Sequence, residues 1–231
     1  GVVSFKAPGK KDPDLEYARF AHQADAGRIK AALNRVEGWL RLKTLANADK
    51  RLALILSTYP GRDHQLAHAV GLDALASCDG ILKALAAEGY AAEAADNMGL
   101  RLMEEELSVP LSDYTAALEI LPESLREDLA EAWGTPEEDP DCRNGAFQFK
   151  ALRAGSALVA LQPERGEVKT RVDDYHDLDR TPRHAYVAFY LWLQQQADAL
   201  IHIGAHGTLE WLPGKAVALS QDCWPEALAG T

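Results

Sequence analysis

A run rich in histidine and glycine near the C-terminus holds the densest group of side chains that can do chemistry. Residues 202–215 read His-Ile-Gly-Ala-His-Gly-Thr-Leu-Glu-Trp-Leu-Pro-Gly-Lys. If a helix begins near His206, then His206 and Glu210 lie one turn apart on the same face. A neutral imidazole and a carboxylate can together ligate a borderline metal ion, and either can accept a proton. This spacing predicts a site for metal binding or proton transfer.

Structural roles compete with this prediction for the individual side chains. His202 lies inside an apolar strand pattern, where a hydrogen-bonded core histidine is the commoner case, although it is also a candidate metal ligand. His206 stands between glycines at the end of that strand, which favours function because glycine lets the backbone approach a ligand closely. Glu210 can equally well face solvent or complement the N-terminus of a helix.

Two further clusters have weaker chemical signals. An acidic loop reads Asp-Asp-Tyr-His-Asp over residues 173–177 and is followed by His184. Such a loop can bind metal, which makes His176 a candidate ligand, but a solvated loop is the commoner explanation. The third cluster contains Tyr59 and Arg62 and follows an apolar run, so a turn at the end of a strand explains it equally well.

Two short and largely apolar runs must position the first and third clusters. Residues 52–56 and 199–203 are typical of strands buried in a parallel sheet, and each precedes one of these loops. In open α/β sheets, ligands bind beyond the carboxyl ends of the strands. Both loops should therefore lie at the same edge, where Thr208 is expected to cap a short helix that contains Glu210.

The rest of the chain predicts helices and one hairpin. Strands at 147–152 and 157–162 should pair across a turn. Ser77 and Thr181 are suited to begin helices. Gly89 is well placed to end the helix that Ser77 begins, and Gly134 is well placed to end another. The predicted helices cover residues 17–45, 77–88, 100–107, 112–121, 125–133 and 181–196. The last of these is apolar nearly all round and should be well buried.

The expected fold is α/β, with a mostly parallel sheet and flanking helices. A helical lead-in should cover residues 1–50, and an α/β segment should cover residues 51–231 with a helical middle at 97–134. The 231 residues, 47% of them hydrophobic, are enough to bury a substantial core.

Composition and missing motifs exclude several classes of protein. The formal charge of −11 without a basic stripe argues against nucleic-acid binding, and no apolar run is long enough to span a membrane. Three distant cysteines without a C-x-x-C pair fit a reducing cytoplasm. The sequence contains no phosphate-binding loop, no G-x-S-x-G elbow and no dinucleotide fingerprint.

Several phrases of the chain resemble the CobN-type large subunit of aerobic cobaltochelatase and its relative, the large subunit of magnesium chelatase. They occur in family order and cover most of the chain from residue 51 onward. The longest, over residues 202–215, is far more specific than a short-motif coincidence. The phrases are LILSTYPG (54–61), GLDALAS (71–77), YHD (175–177), HAYVAFYLW (184–192), HIGAHGTLEWLPGK (202–215) and CWPEAL (223–228).

The resemblance implies an internal segment of a much longer tetrapyrrole-binding subunit in the cytoplasm. That subunit would take part in ATP-dependent insertion of Co²⁺ into hydrogenobyrinic acid a,c-diamide during cobalamin biosynthesis. Two partner subunits of the AAA+ type would use the ATP and Mg²⁺, and this segment alone is expected to be inactive. A magnesium chelatase homologue and a scaffolding module without site residues remain alternatives.

The resemblance also leads to predicted roles for individual residues. His206 would accept a proton or ligate cobalt transiently, with Glu210 as second ligand or orienting group. His202 and His176 are further candidate metal ligands. Contacts to the ring are predicted for Arg165, Arg183, Lys215, Tyr59 and Arg62.

Overall fold

A central sheet of six strands organises the chain in this computed structural model. The residues that the structure describes are 6–7, 11–15, 17–18, 23–57, 68–69, 71–166, 177–204, 207–214 and 219–230. The sheet contains β5 (Leu52–Leu56), β8 (Glu106–Pro110), β9 (Cys142–Arg143), β10 (Ala146–Ala154), β11 (Ala157–Leu161) and β12 (Ala199–Ile203). Two-residue strands form separate pairs, namely β1 (Lys6–Ala7) with β4 (Gln23–Ala24), β2 (Lys11–Asp12) with β3 (Tyr17–Ala18), and β6 (His68–Ala69) with β7 (Leu72–Asp73).

The order of the strands is β12-β5-β11-β10-β8, with β9 paired to β10. The α/β prediction is confirmed, and the sheet is mixed. Strands β12, β5 and β11 run parallel, as predicted for the apolar runs, whereas β10 pairs antiparallel with β8, β9 and β11. The predicted hairpin is formed by β10 and β11, so a tight turn reverses the chain on one side of the parallel half.

Helices cover both faces of the sheet. They are α1 (Ala26–Thr44), α2 (Ala74–Ala87), α3 (Met98–Glu104), α4 (Leu111–Leu118), α5 (Glu123–Trp133), α6 (His184–Gln196) and α7 (Trp224–Ala229). Short 3-10 turns occupy Asn47–Asp49, Pro136–Glu138 and Leu209–Trp211. Within the described residues, no helix is both long and apolar enough to cross a bilayer.

The strand β5 is apolar at every position because both of its faces are covered. Ala53 and Ile55 join a core with residues of α4, α5 and α6, while Leu52, Leu54 and Leu56 join another with α2 and α3. Side chains alternate across a strand, so five consecutive apolar residues are what two cores require. Helix α6 is buried along most of its length, which confirms the expectation from its all-round apolar pattern.

The boundaries of several predicted elements were wrong for identifiable reasons. Helix α2 begins three residues before Ser77, because Asp73 is its cap and accepts a hydrogen bond from the backbone of Ala76. The hydroxyl of Ser77 donates instead to the carbonyl of Asp73. Gly89 ends the helix with φ of +80°, as predicted.

Other boundaries shifted where the chain joins the sheet or a loop. The predicted helix 100–107 ends at Glu104, and the following residues form β8, which pairs with β10. The helix predicted to begin at Thr181 begins at His184, with Arg183 in the cap position. The predicted helix 17–45 begins only at Ala26, after the short strands β3 and β4.

Helix α1 turns a polar face toward the body of the molecule. Its apolar stripe points away, with Leu33 61% and Trp39 78% exposed. Arg28 is buried and forms two hydrogen bonds of 2.5 and 2.8 Å with the carboxylate of Glu226 in α7. At the other end, Arg41 pairs with Asp198 at 2.5 Å. Ion pairs therefore hold this helix in place.

Replacing Arg28 by alanine should loosen α1 without unfolding the sheet. The carboxylate of Glu226 is 10% exposed, and breaking a buried ion pair on one side costs about 3 kcal/mol. Amide hydrogen exchange along α1 should therefore accelerate about 100-fold, while amides of β5 keep their protection. The matched control is Arg101→Ala, which removes a surface pair with Glu105 inside α3. Equal exchange of α1 in both variants would contradict the anchoring role of Arg28.

Candidate functional site

The carboxyl ends of three parallel strands meet at one edge of the sheet. The backbone N–H of Ser57, after β5, donates to the carbonyl of Ile203 in β12 at 3.0 Å. The backbone N–H of Gln162, after β11, donates to the carbonyl of Leu56 at 3.0 Å. Residues that directly follow β5, β11 and β12 therefore lie side by side, as the strand-end rule predicts.

A buried polar network fastens the loop after β12 to this edge. The side-chain amide of Gln162 donates to the hydroxyl of Tyr186 at 2.8 Å and to the hydroxyl of Thr208. The hydroxyls of Tyr186 and Thr208 are 2.5 Å apart. All three side chains are buried, so each of these bonds satisfies a polar group that water does not reach. Thr208 precedes the turn Leu209–Trp211, but its hydroxyl serves this network and does not cap the turn.

His202 is exposed at the edge, so the interpretation as a core histidine was wrong. Its Nε2 lies 3.2 Å from the hydroxyl of Tyr190, and the two rings meet edge to face. The side of the ring next to Tyr190 is crowded by protein although the residue as a whole reaches solvent. This crowding lowers the pKa of His202, and the negative charge of Glu210 acts in the opposite direction.

His202 and Glu210 both approach the backbone of Gly207. A Cβ atom at this glycine would lie 3.0 Å from Oε2 of Glu210 and 3.5 Å from Nδ1 of His202. Because glycine has no side chain, the carboxylate and the imidazole can both approach the backbone here. Glu210 is exposed, so its carboxylate can meet a cation or a proton donor from outside the fold.

Arg165 and Arg183 are both buried and hydrogen-bonded inside the protein. The guanidinium of Arg165 donates to the carbonyl of Trp211 at 2.7 Å and to that of Asp177 at 2.6 Å. It therefore ties the loop after β12 to the segment before α6. The contact that was predicted between these two arginines and carboxylates of the ring stays a prediction.

Arg183 has acidic partners in the segment before β10. Its guanidinium pairs with Asp141 and lies 3.6 Å from Asp139, and its Nε donates to the carbonyl of Glu164 at 3.0 Å. Burial lowers the pKa of Arg183, and the charge of Asp139 opposes that shift. Through these contacts, Arg183 joins the segment before β10 to the start of α6.

His184 has a structural environment, because both of its ring nitrogens have hydrogen-bond partners inside the protein. Its Nδ1 lies 2.7 Å from the hydroxyl of Tyr114, and its Nε2 lies 3.1 Å from the carbonyl of Gly134. A carbonyl can only accept, so Nε2 carries the proton and Nδ1 accepts from Tyr114. Burial lowers the pKa of His184, so the ring is neutral.

The turn that follows Trp211 packs against the start of α7. A Cβ atom at Gly214, where φ is +93°, would lie 2.9 Å from Cα of Cys223. The backbone N–H of Trp224 donates to the carbonyl of Pro213 at 3.2 Å. Gly214 is therefore required for this close packing, and the turn connects two of the phrases singled out in the sequence.

Part of the predicted site lies outside the described residues, namely Tyr59, Arg62, His176, His206 and Lys215. Within the residues that are described, no three side chains of the metal-binding types lie close enough together to hold an ion. The described part of the site is therefore the pair His202–Glu210 and the network beneath it.

Sequence reasoning missed Gln162, Tyr186 and Tyr190. Gln162 directly follows a strand that reaches the site edge, a position that the strand-end rule indicates. The two tyrosines stand four residues apart on a helix that otherwise reads as pure core, and this spacing places both hydroxyls on one side. Two polar-tipped residues at helical spacing in a buried helix were the available signal.

Comparison with known proteins gives a consistent set of relatives. Residues 2–231 match a family described as CobN/Magnesium Chelatase. A relative from Pseudomonas aeruginosa, named aerobic cobaltochelatase subunit CobN, is 38% identical over 99% of this chain and 20% of its own length. A magnesium-chelatase subunit from Chlorobaculum parvum is 31% identical over 83% of this chain and 16% of its own length.

A solved structure has the same fold over nearly the whole chain. It is the catalytic subunit of cobaltochelatase from Mycobacterium tuberculosis, with a TM-score of 0.79 and 32% sequence identity. The similarity covers 99% of this chain and 21% of that one. The chain thus spans about a fifth of the length of the relatives that it matches.

His184 should make the chain less stable in acid. Its pKa is lowered in the folded chain, so below about pH 6.5 the unfolded chain binds a proton that the folded chain does not. Its contribution to stability is complete above that pH and falls by up to about 1.4 kcal/mol per pH unit as the pH drops. Urea unfolding from about pH 8 to about pH 5 measures this dependence.

The control for this experiment is His184→Gln, which keeps a polar side chain but cannot titrate. The pH slope of the variant should be smaller by the part that His184 supplies, and His202 accounts for part of the remainder because its pKa is also lowered. An unchanged slope in the variant would show that His184 is not the buried group that resists protonation.

Proposed function

The chain belongs to the CobN/magnesium chelatase family, and from this membership we propose that it is part of the tetrapyrrole-binding subunit of an ATP-dependent cobaltochelatase. The proposed reaction is the insertion of Co²⁺ into hydrogenobyrinic acid a,c-diamide in cobalamin biosynthesis. The observation that carries the proposal is that His202 and Glu210 both approach Gly207 at the strand edge, inside the most family-specific phrase.

Cobalt is favoured over magnesium by the comparisons. Identity is 38% with the relative named as a cobaltochelatase subunit and 31% with the relative named as a magnesium-chelatase subunit. Imidazole is also a ligand that suits cobalt better than magnesium, which prefers oxygen ligands. A magnesium chelatase homologue is the second candidate, since both kinds of relative match this chain.

The chemistry of insertion requires groups that accept protons. The ring nitrogens release two protons as a hydrated cation loses water and enters. We assign proton acceptance to Glu210 together with His206, and either side chain can hold the cation briefly before transfer. A well-placed acid–base group accelerates such a step by about 10²–10⁴-fold.

Energy for the reaction would come from partner subunits. We propose two AAA+-type partners that hydrolyse ATP with Mg²⁺, as the family resemblance implies. The proposed location is the cytoplasm. Since the chain spans about a fifth of the relatives, we expect the complete ring site to include other parts of the full subunit.

We expect Glu210→Gln to stop insertion while the ring still binds. The variant should be placed in a full-length subunit that contains this segment, with ATP and both partners present. The rate of Co²⁺ insertion, followed by ring absorbance, should fall about 100-fold or more because the amide cannot accept a proton. His206→Ala is expected to have the same effect, and Glu131→Gln, an exposed position on α5, is the matched control.

The outcomes separate the competing functions. Near-normal insertion in Glu210→Gln would refute the catalytic proposal and favour a scaffolding role for the segment. Insertion of Mg²⁺ but not Co²⁺ by the unaltered subunit would favour the magnesium alternative. Tight Co²⁺ binding without any effect on the ring spectrum would indicate a module that only delivers metal.

A further inference from the structure

We propose that Tyr190 is a positioning residue, whose hydroxyl donates to Nε2 of His202 and directs the Nδ1–H of that ring toward Glu210. The bond fixes one tautomer and one orientation of an imidazole that would otherwise be free to rotate at an exposed edge. The importance of this arrangement for metal insertion rests on the function proposed for Glu210. The tautomer of His202 does not depend on that function.

The hydroxyl of Tyr190 is held in a fixed place. The side chain is completely buried in α6, and its ring packs against Phe189 and Tyr186 at centroid distances of 5.4 and 4.9 Å. Burial raises the pKa of Tyr190 well above its ordinary value, and the neighbouring hydroxyl of Tyr186 raises it further, so the group keeps its proton. A rigid donor 3.2 Å from Nε2 is therefore built into the fold.

The position of Glu210 decides which tautomer His202 adopts. Oε2 of Glu210 and Nδ1 of His202 both lie within 3.5 Å of the point where a Cβ of Gly207 would be. A carboxylate only accepts hydrogen bonds. The negative charge of Glu210 acts on His202, and Nδ1 is the ring nitrogen on the side of Gly207 that Glu210 also approaches. A proton on Nδ1 is stabilised by this charge, and Nε2 is then left to accept from Tyr190.

The same helix supports Glu210 from a second direction. Tyr186, one turn before Tyr190, holds Thr208 at 2.5 Å, and Thr208 begins the short turn that carries Glu210. One tyrosine thus fixes the backbone that leads to the carboxylate, and the other fixes the imidazole beside it. Such outer partners set the geometry of the groups that meet substrate, and removing one typically costs about 10–100-fold in metal affinity or activity.

This arrangement gives His202 a different role from a metal ligand. Its Nε2 is occupied by Tyr190, and its Nδ1 carries a proton. Neither nitrogen is then available to a cation. His202 acts on the site through Glu210, and Tyr190 acts through His202.

The first experiment determines the histidine tautomers in the 231-residue chain by long-range ¹H–¹⁵N spectra of ¹⁵N-labelled protein. We expect His202 to carry its proton on Nδ1 and His184 to carry its proton on Nε2. In Tyr190→Phe, the Nδ1–H signature of His202 should give way to a mixture of tautomers while His184 stays unchanged. Tyr114→Phe is the matched control, because it removes the hydroxyl that bonds to His184 and should leave His202 unchanged.

Two results would overturn the proposal. A wild-type His202 protonated on Nε2 would do so without any variant, which keeps the test valid even if Tyr190→Phe folds poorly. An identical His202 signature in wild type and folded Tyr190→Phe would show that the hydroxyl does not fix the ring.

The second experiment measures Co²⁺ binding to the same samples. Tyr190→Phe should weaken binding that depends on Glu210 about 10-fold or more, whereas Tyr114→Phe should not. If Glu210→Gln leaves Co²⁺ binding unchanged, the metal-handling role proposed for Glu210 fails, and the tautomer spectra still decide the role of Tyr190. Equal Co²⁺ affinity in wild type and Tyr190→Phe, where Glu210 does bind the ion, would remove Tyr190 from the site.

Discussion

The parallel alignment of β11, β5 and β12 is the constraint on which the rest of the molecule depends. It requires two cores, one on each side of β5, and these cores determine where the helices lie. It also brings three strand ends together, so the loops after Leu56, Leu161 and Ile203 begin at neighbouring points. An antiparallel strand in place of β12 would put its following loop at the opposite edge, far from Gln162.

At the carboxyl ends of the parallel strands, polar groups lie next to the buried core. These groups need hydrogen-bond partners inside the protein because water does not reach them. Gln162, Tyr186 and Thr208 meet that need with bonds among themselves, so the loop after β12 is held by interactions inside the protein. Ser57 stands at the same boundary, and its buried hydroxyl has no partner within the part of the chain that the structure describes. Precise placement of Glu210 follows from this network, since an exposed loop alone would allow many positions.

Local patterns in the sequence were sufficient to predict the parallel strands, the hairpin, the buried helix α6 and the family. They gave no information on which distant side chains meet, and this explains why the tyrosines of α6 were read as core. Helix α1 shows a related limit. Leu33 and its apolar neighbours correctly predict a helix, but the face that docks is chosen by Arg28 and Arg41, whose partners Glu226 and Asp198 are far away in sequence.

His202 shows how the same limit affected the site. Its apolar strand suggested a core residue, but β12 is the outermost strand in the order and its end is open to solvent. The prediction that His206 and Glu210 share a helical face lies beyond what the described residues test. What they do place beside Glu210 is His202, which is eight residues away and on a strand, because Gly207 leaves room for both.

The charge states of the edge divide its residues into two groups. Burial raises the pKa of both Tyr186 and Tyr190, so these hydroxyls keep their protons and can only position their neighbours. Glu210, by contrast, is exposed to solvent. A neutral and rigid support beneath one solvent-facing carboxylate is consistent with the proton transfer that we propose for this edge. If every side chain at this edge ionised, the hydrogen bonds that position them would change with each proton transfer.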